Sequence, residues 1–227
     1  MKTVEIRRNT LGMIKGSVTR GRQVARKLGF PTANLQVEAI EGEFRLGVYG
    51  VIARYQGNQY EGVMNAGIRP TFTELQPAVH YEVHLLNFDQ SIYGARLEVD
   101  VCFFVRDEMK FPRADQLTRQ IAKDVQNVQK RFELLNSAED EVHLTDFAFG
   151  KLCEDVYGIN RGVYNTIETS LYARGLTHIT KRRKAVLSFL EYLTFQKSVK
   201  RTSQIKFGNG GLTANLQEFC RSYLGGC

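Results

Sequence analysis

Two short stretches of the sequence carry side chains that could do chemistry. The first runs from Gly16 to Leu35 and places glycines among arginines and lysines ahead of a Pro-Thr-Ala-Asn tetrad. Glycine lets a backbone approach a ligand closely, and exposed N–H groups beside cationic side chains suit an anion. The spacing fits neither the Walker pattern nor the Rossmann fingerprint. From the residues alone, this stretch is either a phosphate-binding loop or a basic surface loop that contains glycine.

The second stretch is AVHYEVHLL, whose alternating polar and apolar residues predict a strand. Successive side chains of a strand point to opposite faces, so His80, Glu82 and His84 share one face and the apolar residues share the other. A carboxylate flanked by two imidazoles offers the donor types of a metal site. From these residues alone, the face is either such a site or a solvated strand surface.

The elements around these stretches change in character along the chain. Up to about residue 106, short runs rich in β-branched and aromatic residues end at glycines, with no helical spacer between them. This pattern predicts an antiparallel sheet that closes into a small barrel. Apolar residues from Leu117 to Phe132 recur at helical spacing after Pro112, which predicts one helix packed on the barrel. We therefore assign residues 1–135 to a first domain.

Residues 136–227 form a smaller second domain that is predicted to be all helical. Two of its predicted helices end at Gly158 and Gly175, a residue type suited to a helix C-cap. Charge divides this domain sharply, because residues 136–155 carry a net charge of −5 and residues 156–227 a net charge of +8. A basic block in a helical region is the electrostatic footprint of a nucleic-acid-binding protein.

The composition of the whole chain limits the classes of protein that it can belong to. Its 227 residues carry a net charge of +7, which favours anionic partners. The N-terminus lacks the apolar stretch of a signal peptide, and no run approaches the roughly 20 apolar residues that span a bilayer. The four cysteines show no metal-ligand spacing and fit a reducing compartment. We expect a cytoplasmic protein with no membrane association.

Six ordered motifs make the first domain resemble the riboflavin kinases, which transfer the γ-phosphoryl group of ATP to riboflavin and give FMN. The resemblance runs from about Leu11 to Phe132. The motifs are GSVTRG (16–21), LGFPTAN (28–34), NAGIRPTF (65–72), YEVHLL (81–86), YG (93–94) and RDEMKF (106–111). The resemblance implies a six-stranded Greek-key β-barrel with a C-terminal helix, and an enzyme that phosphorylates the riboflavin 5′-hydroxyl.

For ATP, the resemblance implies a nucleotide-binding loop, followed by a metal-binding segment at the start of the next strand. Thr32 and Asn34 of the PTAN motif would hold Mg²⁺ and the nucleotide phosphates, and oxygen donors of this kind suit a hard cation. The turn from Gly16 to Gly21, together with Arg26, would cover the phosphates.

On the flavin side, the resemblance assigns Glu82 as the base that takes the proton from the riboflavin 5′-hydroxyl. Arg106 and the segment from Met109 to Phe111 would border the isoalloxazine ring. This assignment favours a catalytic role for the carboxylate that lies between His80 and His84.

The chain departs from the usual family pattern in two places. Family members usually carry glycine at the position of Ala25, and an alanine that needs a positive φ would cost roughly 1 kcal/mol and weaken nucleotide binding. The bifunctional bacterial enzymes also place an adenylyltransferase domain before the kinase, whereas this sequence starts almost directly at the kinase. We therefore expect the protein to make FMN but not FAD.

The second domain resembles the C-terminal half of a bacterial regulatory riboflavin kinase, which binds the FMN-sensing leader RNA of riboflavin genes. The resemblance implies RNA binding through residues 156–227. The run Lys181, Arg182, Arg183 and Lys184 lies in the first turn of a predicted helix, where cations oppose the helix dipole and a bound phosphate would relieve the conflict. Candidate base-stacking side chains lie around this run. They are Tyr172, Tyr192 and Phe207.

Two alternatives to an RNA-binding kinase stay open at this point. The stretch around Gly158 has the cadence of a helix-turn-helix, with Asn160–Leu171 as the second helix, a motif that usually enters the major groove of DNA. The protein would then be a flavin-responsive, DNA-binding regulator with a degenerate kinase barrel. In the other alternative, an active kinase carries a helical extension that only oligomerises or stabilises it, and the sequence leaves the oligomeric state open.

Overall fold

The computed structural model describes residues 10–21, 24–68, 78–138, 145–199 and 209–223. The chain forms two compact units, Met1–Gln129 and Lys130–Cys227. The sequence places this division after residue 135, whereas the structure places it within a helix that runs through both positions. Leu134 and Ala138, near the end of that helix, are fully buried in the hydrophobic core of the second unit.

The first unit is a closed barrel of six antiparallel strands, which confirms the predicted fold class. The strands are β1 (Gly12–Thr19), β2 (Ala33–Glu41), β3 (Gly47–Tyr55), β4 (Asn58–Ile68), β5 (Val79–Leu85) and β6 (Arg96–Arg106). Their order around the barrel is β1-β2-β5-β4-β3-β6, and β6 pairs with β1 to close it. The pairing of β2 with β5, rather than with β3, gives the barrel its Greek-key connection.

Alternation along the strands separates the core of the barrel from its functional surface. On β5, Tyr81, Val83 and Leu85 point into the barrel and are buried, while the intervening polar residues are half-buried on the outer face. The interior is filled by side chains that are almost fully buried. Among them are Ile14, Val51, Met64, Val99 and Val101. The period-two reading of this strand from the sequence therefore matches the structure.

In the described residues, two helices adjoin the barrel strands in the sequence. The short α1 (Val24–Lys27) lies between β1 and β2, and α2 (Ala114–Ser137) follows β6. Among the residues that the structure describes, the non-glycine residues with positive φ are Gln56 and Asn87. Ala25 lies in α1 instead, so the expectation that it strains the nucleotide loop is wrong.

In the described residues of the second unit the chain forms four further helices. They are α3 (Asp146–Tyr157), α4 (Arg161–Ala173), α5 (Ile179–Val199) and α6 (Asn209–Tyr223). Thr145 caps α3 and Asn160 caps α4, because each side-chain oxygen accepts a hydrogen bond from a first-turn N–H. Gly158 ends α3 with φ of 65°, a left-handed conformation that glycine adopts at little cost. In the described part of the chain, no helix combines the length and the apolar character needed to span a membrane.

A network of polar side chains in the second unit centres on the buried Arg131. Arg131, whose side chain is 3% exposed, donates to Oε2 of Glu191 at 2.6 Å. The Tyr157 hydroxyl donates to the other carboxylate oxygen at 2.5 Å, and the Arg131 guanidinium lies 5.3 Å from the Tyr157 ring centroid. Burial raises the pKa of Tyr157 well above its ordinary value, so the phenol keeps its proton and stays a donor.

Candidate functional site

The centre of the candidate site is the carboxylate of Glu82 on the outer face of β5. Register places Glu82 opposite Asn34 on β2 and opposite Asn65 on β4. Thr32, just before β2, donates its hydroxyl to Glu82 Oε2 at 3.3 Å. The barrel thus gathers a carboxylate, a hydroxyl and two amide side chains from three neighbouring strands. This arrangement supplies a proton acceptor beside oxygen donors suited to a hard cation.

Gly21 lies directly against this cluster. A Cβ atom at Gly21 would lie 2.2 Å from Nδ2 of Asn34, so only glycine leaves the amide where it is. Gly16 lies in a strand and not in the turn in which the sequence analysis placed it. It lies inside β1 at the bulge between Lys15 and Gly16, and a Cβ there would meet the Gln36 carbonyl oxygen at 2.5 Å. Gly16 therefore serves sheet packing and does not belong to the loop that follows β1.

We expect Gly21→Ala to raise the KM for ATP by about tenfold or more, because the added methyl group pushes Asn34 off its position. Steady-state kinetics at varied ATP and divalent cation would measure the change. Gly57→Ala is the control for backbone strain, since Gly57 lies in the β3–β4 turn with φ of 78° and open space around a built Cβ. It should lower stability somewhat, as a left-handed alanine costs about 1 kcal/mol, and leave the KM for ATP unchanged. An unchanged KM in Gly21→Ala would show that Asn34 does not contact the nucleotide or its metal.

A cleft of about 760 Å³ opens beside Thr32. It is lined by the segment after α1 and by the connection between β5 and β6, including Tyr93. The Arg26 guanidinium lies 3.5 Å from the Tyr93 hydroxyl, and the Arg20 guanidinium lies 5.4 Å from the centre of the Tyr93 ring. The two cations around this aromatic ring place positive charge at the cleft, which suits the phosphates of a nucleoside triphosphate.

The metal-site reading of His80, Glu82 and His84 finds no support in the structure. Nδ1 of His84 lies 2.8 Å from the Pro31 carbonyl oxygen, and its ring packs edge-on against Phe30. Within the described ranges, no cluster of three or more His, Cys, Asp or Glu side chains could hold a metal ion. His84 therefore helps to fix the segment that presents Thr32.

The predicted flavin segment is tied to α2 through Arg106. Its guanidinium forms a two-pronged pair with the buried Asp124, with Nε to Oδ1 at 2.9 Å and Nη2 to Oδ2 at 2.7 Å. The same guanidinium lies 5.9 Å from the Phe111 ring centroid, and Met109 is 50% exposed. Arg106 thus acts as an anchor for the segment, and the apolar side chains of the segment are available to a planar ligand.

Glu108 brings this segment to the neighbourhood of Glu82. A Cβ built on Gly67 would lie 2.6 Å from Oε1 of Glu108 and 2.9 Å from Nδ2 of Asn65. The side chains of Glu108 and Asn65 therefore both lie against Gly67, and Asn65 is the cross-strand neighbour of Glu82. No individual role for Glu108, Asn65, Arg20 or Tyr93 was predicted from the sequence, although all four lie inside the quoted motifs. Their neighbours are distant in sequence, and only the folded barrel shows them.

The predicted cationic cluster of the second unit is divided by the fold. Arg182 and Arg183 are buried, with relative exposures of 9% and 2%. Arg182 pairs with Glu168, and Arg183 donates to Asp146 at 3.0 Å. Lys181 and Lys184 are exposed on α5. The four side chains therefore do not form one exposed patch, because two of them hold α5 against its neighbours.

The helices α3 and α4 follow one another on either side of Gly158, the residue at which the helix-turn-helix cadence places its turn. Its second helix, however, contains one basic residue, Arg161. That side chain pairs with Glu154 at 2.6 Å and lies over the Phe147 ring at 4.6 Å. The exposed face of α4 carries neutral residues such as Asn165 and Thr169, so it lacks the cations that position a recognition helix on DNA phosphates.

Comparisons with known proteins find similarity over the barrel alone and over nearly the whole chain. The family model described as riboflavin kinase matches residues 10–132. The RNA-binding riboflavin kinase RibR of Bacillus subtilis is 40% identical over 223 residues, which cover 93% of this chain and 95% of RibR. A bifunctional riboflavin kinase/FMN adenylyltransferase of Haemophilus influenzae is 40% identical over 133 residues. These residues cover 57% of this chain and 42% of that protein. The riboflavin kinase of Trypanosoma brucei aligns with a TM-score of 0.36 and 21% identity, over 54% of this chain and 80% of that chain.

Proposed function

This chain belongs to the riboflavin kinase family, and we propose which of its side chains carry out the ATP-dependent phosphorylation of riboflavin to FMN. Phosphoryl transfer needs positioned phosphates, neutralised charge and a group that accepts the proton of the attacking hydroxyl. The observation that carries the proposal is the contact between Thr32 and Glu82, because it places a metal-type ligand and a base side by side.

Glu82 is the proton acceptor in this proposal. Glu82 is half-buried on the outer face of β5, where its cross-strand neighbours are Asn34 on β2 and Asn65 on β4. The riboflavin 5′-hydroxyl would donate its proton to this carboxylate as the oxygen attacks the γ-phosphorus, and ADP would leave. Asn65 and Glu108 flank the position that the ribityl chain would occupy.

Thr32 and Asn34 are the proposed ligands of the divalent ion, which the family chemistry implies and which we take to be Mg²⁺. Hydroxyl and amide oxygens suit a small, hard cation that keeps phosphate oxygens and water in its remaining positions. The bound ion would neutralise charge on the ATP phosphates. Gly21 keeps Asn34 in place, and Arg26 contributes positive charge from the cleft.

Met109 and Phe111 are the proposed contacts of the isoalloxazine ring. Arg106 supports them indirectly, since it anchors the segment to Asp124 of α2 and lies against Phe111. The exposed side chain of Met109 offers a soft apolar surface to an aromatic ligand.

The second unit is proposed to bind RNA and thereby to regulate riboflavin genes, in the cytoplasm where ATP and nascent RNA are available. Similarity to RibR, an RNA-binding riboflavin kinase, supports this function, as does the net charge of +8 over residues 156–227. Lys181 and Lys184 are the exposed members of the predicted cluster, so they are the proposed phosphate contacts. Nothing in α4 favours the DNA-binding alternative.

The double substitution Lys181→Ala and Lys184→Ala should weaken RNA binding and reduce the slope of log K against log salt by about 1 to 1.5, because about 0.7 is expected per phosphate contact with a single strand. Titration of the full chain at several salt concentrations would measure both effects. Lys151→Ala is the control, since Lys151 is exposed but pairs with Asp155 at 3.1 Å. An unchanged affinity and slope in the double variant would remove these lysines from the interface.

The RNA function itself is tested by titrating the full chain against three nucleic acids in rising salt. They are the folded leader RNA of riboflavin genes, a scrambled RNA of equal length and duplex DNA. Selective binding to the folded leader is the expected result. Equal binding to all three would leave only a generic basic surface, and preference for the duplex would support the DNA-binding regulator instead.

A further inference from the structure

Tyr172 is an exposed aromatic side chain on the last turn of α4. It is 54% exposed, and its ring centroid lies 5.3 Å from the guanidinium of Arg182. Arg182 is itself buried, pairs with Glu168 and donates to the carbonyl oxygens of Leu176 and Thr177 at 3.1 and 2.8 Å. The ring therefore rests on an immobilised cation and presents its remaining surface to solvent.

Two other aromatic side chains among the described residues of the second unit, Tyr192 and Phe147, do not share these properties. Tyr192 is partly buried and packs against Phe189 and Phe219 in the core, at 6.3 and 5.8 Å between ring centroids. Phe147 is 73% exposed and lies over Arg161. Unlike Tyr172, however, it belongs to an acidic stretch of the sequence, since residues 136–155 carry a net charge of −5. Phe207 lies outside the described residues.

The surroundings of Tyr172 are basic by contrast. Lys181 precedes Arg182 in the chain, and Lys184 follows on the same exposed face of α5. Arg174 lies two residues after Tyr172 and donates to the Ser170 carbonyl oxygen at 3.1 Å, which holds it beside the end of α4. An aromatic face flanked by cations matches a nucleotide, because the base can stack while the phosphates meet positive charge.

We propose that Tyr172 is the stacking surface for one unpaired base of the bound RNA, with the neighbouring phosphates on Lys181 and Lys184. This inference rests on the proposed RNA-binding function and adds that the site recognises an unpaired base. A base inside a duplex has its faces covered by its neighbours, so only a loop, a bulge or a single-stranded end can use the site. The partner is therefore an RNA with an unpaired nucleotide.

The absence of tryptophan from the chain provides a direct reporter. Tyr172→Trp in the full chain introduces a single indole, whose fluorescence should fall by about half or more when a base stacks on it. The probes are the folded leader RNA, a 20-nucleotide single-stranded RNA and that same RNA annealed to its complement. We expect quenching by the folded leader at the lowest RNA concentrations, by the single strand only at higher concentrations and by the duplex at none, whereas Phe147→Trp should respond to none of the probes. Equal quenching of the two reporters, or quenching of Tyr172→Trp by the duplex, would overturn the proposal.

Affinity provides a second, independent test. Tyr172→Ala should weaken binding of the leader RNA by about tenfold or more, which corresponds to about 1.4 kcal/mol. Tyr172→Phe should bind like wild type, and Tyr172→Leu, which keeps apolar packing against Arg182, should show the loss of Tyr172→Ala. Phe147→Ala is the control and should bind normally. Wild-type affinity in Tyr172→Leu would refute the stacking role alone, whereas failure of the wild-type chain to bind the leader RNA would refute the RNA-binding function.

Discussion

Glu82→Gln should lower kcat for FMN formation by about two to four orders of magnitude, the range that a positioned general base contributes. The amide keeps the size of the side chain and can still meet the Thr32 hydroxyl, but it cannot accept the proton of the riboflavin 5′-hydroxyl. The KM for ATP should change little, because ATP is held by other groups in this account. Steady-state assay of FMN production by the full chain would give both constants.

Glu98→Gln is the matched control for this substitution. Glu98 lies on β6 of the same barrel and pairs with Lys15 at the surface, with side chains 47% and 40% exposed. Surface pairs of this kind contribute about 0–1 kcal/mol, so its kcat and thermal stability should both stay near the wild-type values. Near-normal turnover in Glu82→Gln, with normal folding, would remove Glu82 as the base and leave the catalytic proton acceptor unassigned.

Arg131→Met should destabilise the second unit by about 3 kcal/mol or more. Breaking a buried ion pair leaves its partner without compensation, and here the partner is Glu191, which also accepts the hydroxyl of Tyr157. Methionine fills a similar volume, so the loss arises from the carboxylate and not from a cavity. Urea denaturation followed by circular dichroism would measure the change in the free energy of unfolding.

Two further variants calibrate this prediction. Lys130→Met makes the same chemical change at the preceding, exposed position and should alter the free energy of unfolding by less than about 0.5 kcal/mol. Tyr157→Phe keeps the ion pair and removes one hydrogen bond, for which we expect about 1 kcal/mol. A loss of less than 1 kcal/mol in Arg131→Met would mean that Glu191 is hydrated or protonated once its partner is removed.

The strands of the barrel, including the strand β5 that carries Glu82, could be predicted from the sequence because period-two alternation is a local signal. The pattern of β5 put Glu82 and its neighbours on the outer face, and burial in the structure follows the same alternation. The contacts of Glu82 could not be predicted in this way. Asn65 and Thr32 are distant from it in sequence, and only the pairing of β5 with β4 and β2 brings them beside the carboxylate.

The exposure of the basic run Lys181–Lys184 in the second unit could not be predicted from the sequence. Four consecutive cations look like one surface patch, but on a helix they point in different directions, about 100° apart. Two of them, Arg182 and Arg183, therefore face the neighbouring helices and find Glu168 and Asp146 there. Gly16 is a similar case, because a glycine motif read as a loop is in fact a strand bulge against Gln36.

A crystal structure of the full chain with ADP, Mg²⁺ and FMN would test the assignment of the kinase site most directly. We expect a metal ion bound by Thr32 Oγ1 and the Asn34 side chain, and the 5′-oxygen of FMN within about 3.5 Å of the Glu82 carboxylate. We also expect the isoalloxazine ring against Met109 and Phe111. A metal ion held by other residues, or a 5′-oxygen out of reach of Glu82, would contradict the proposed site.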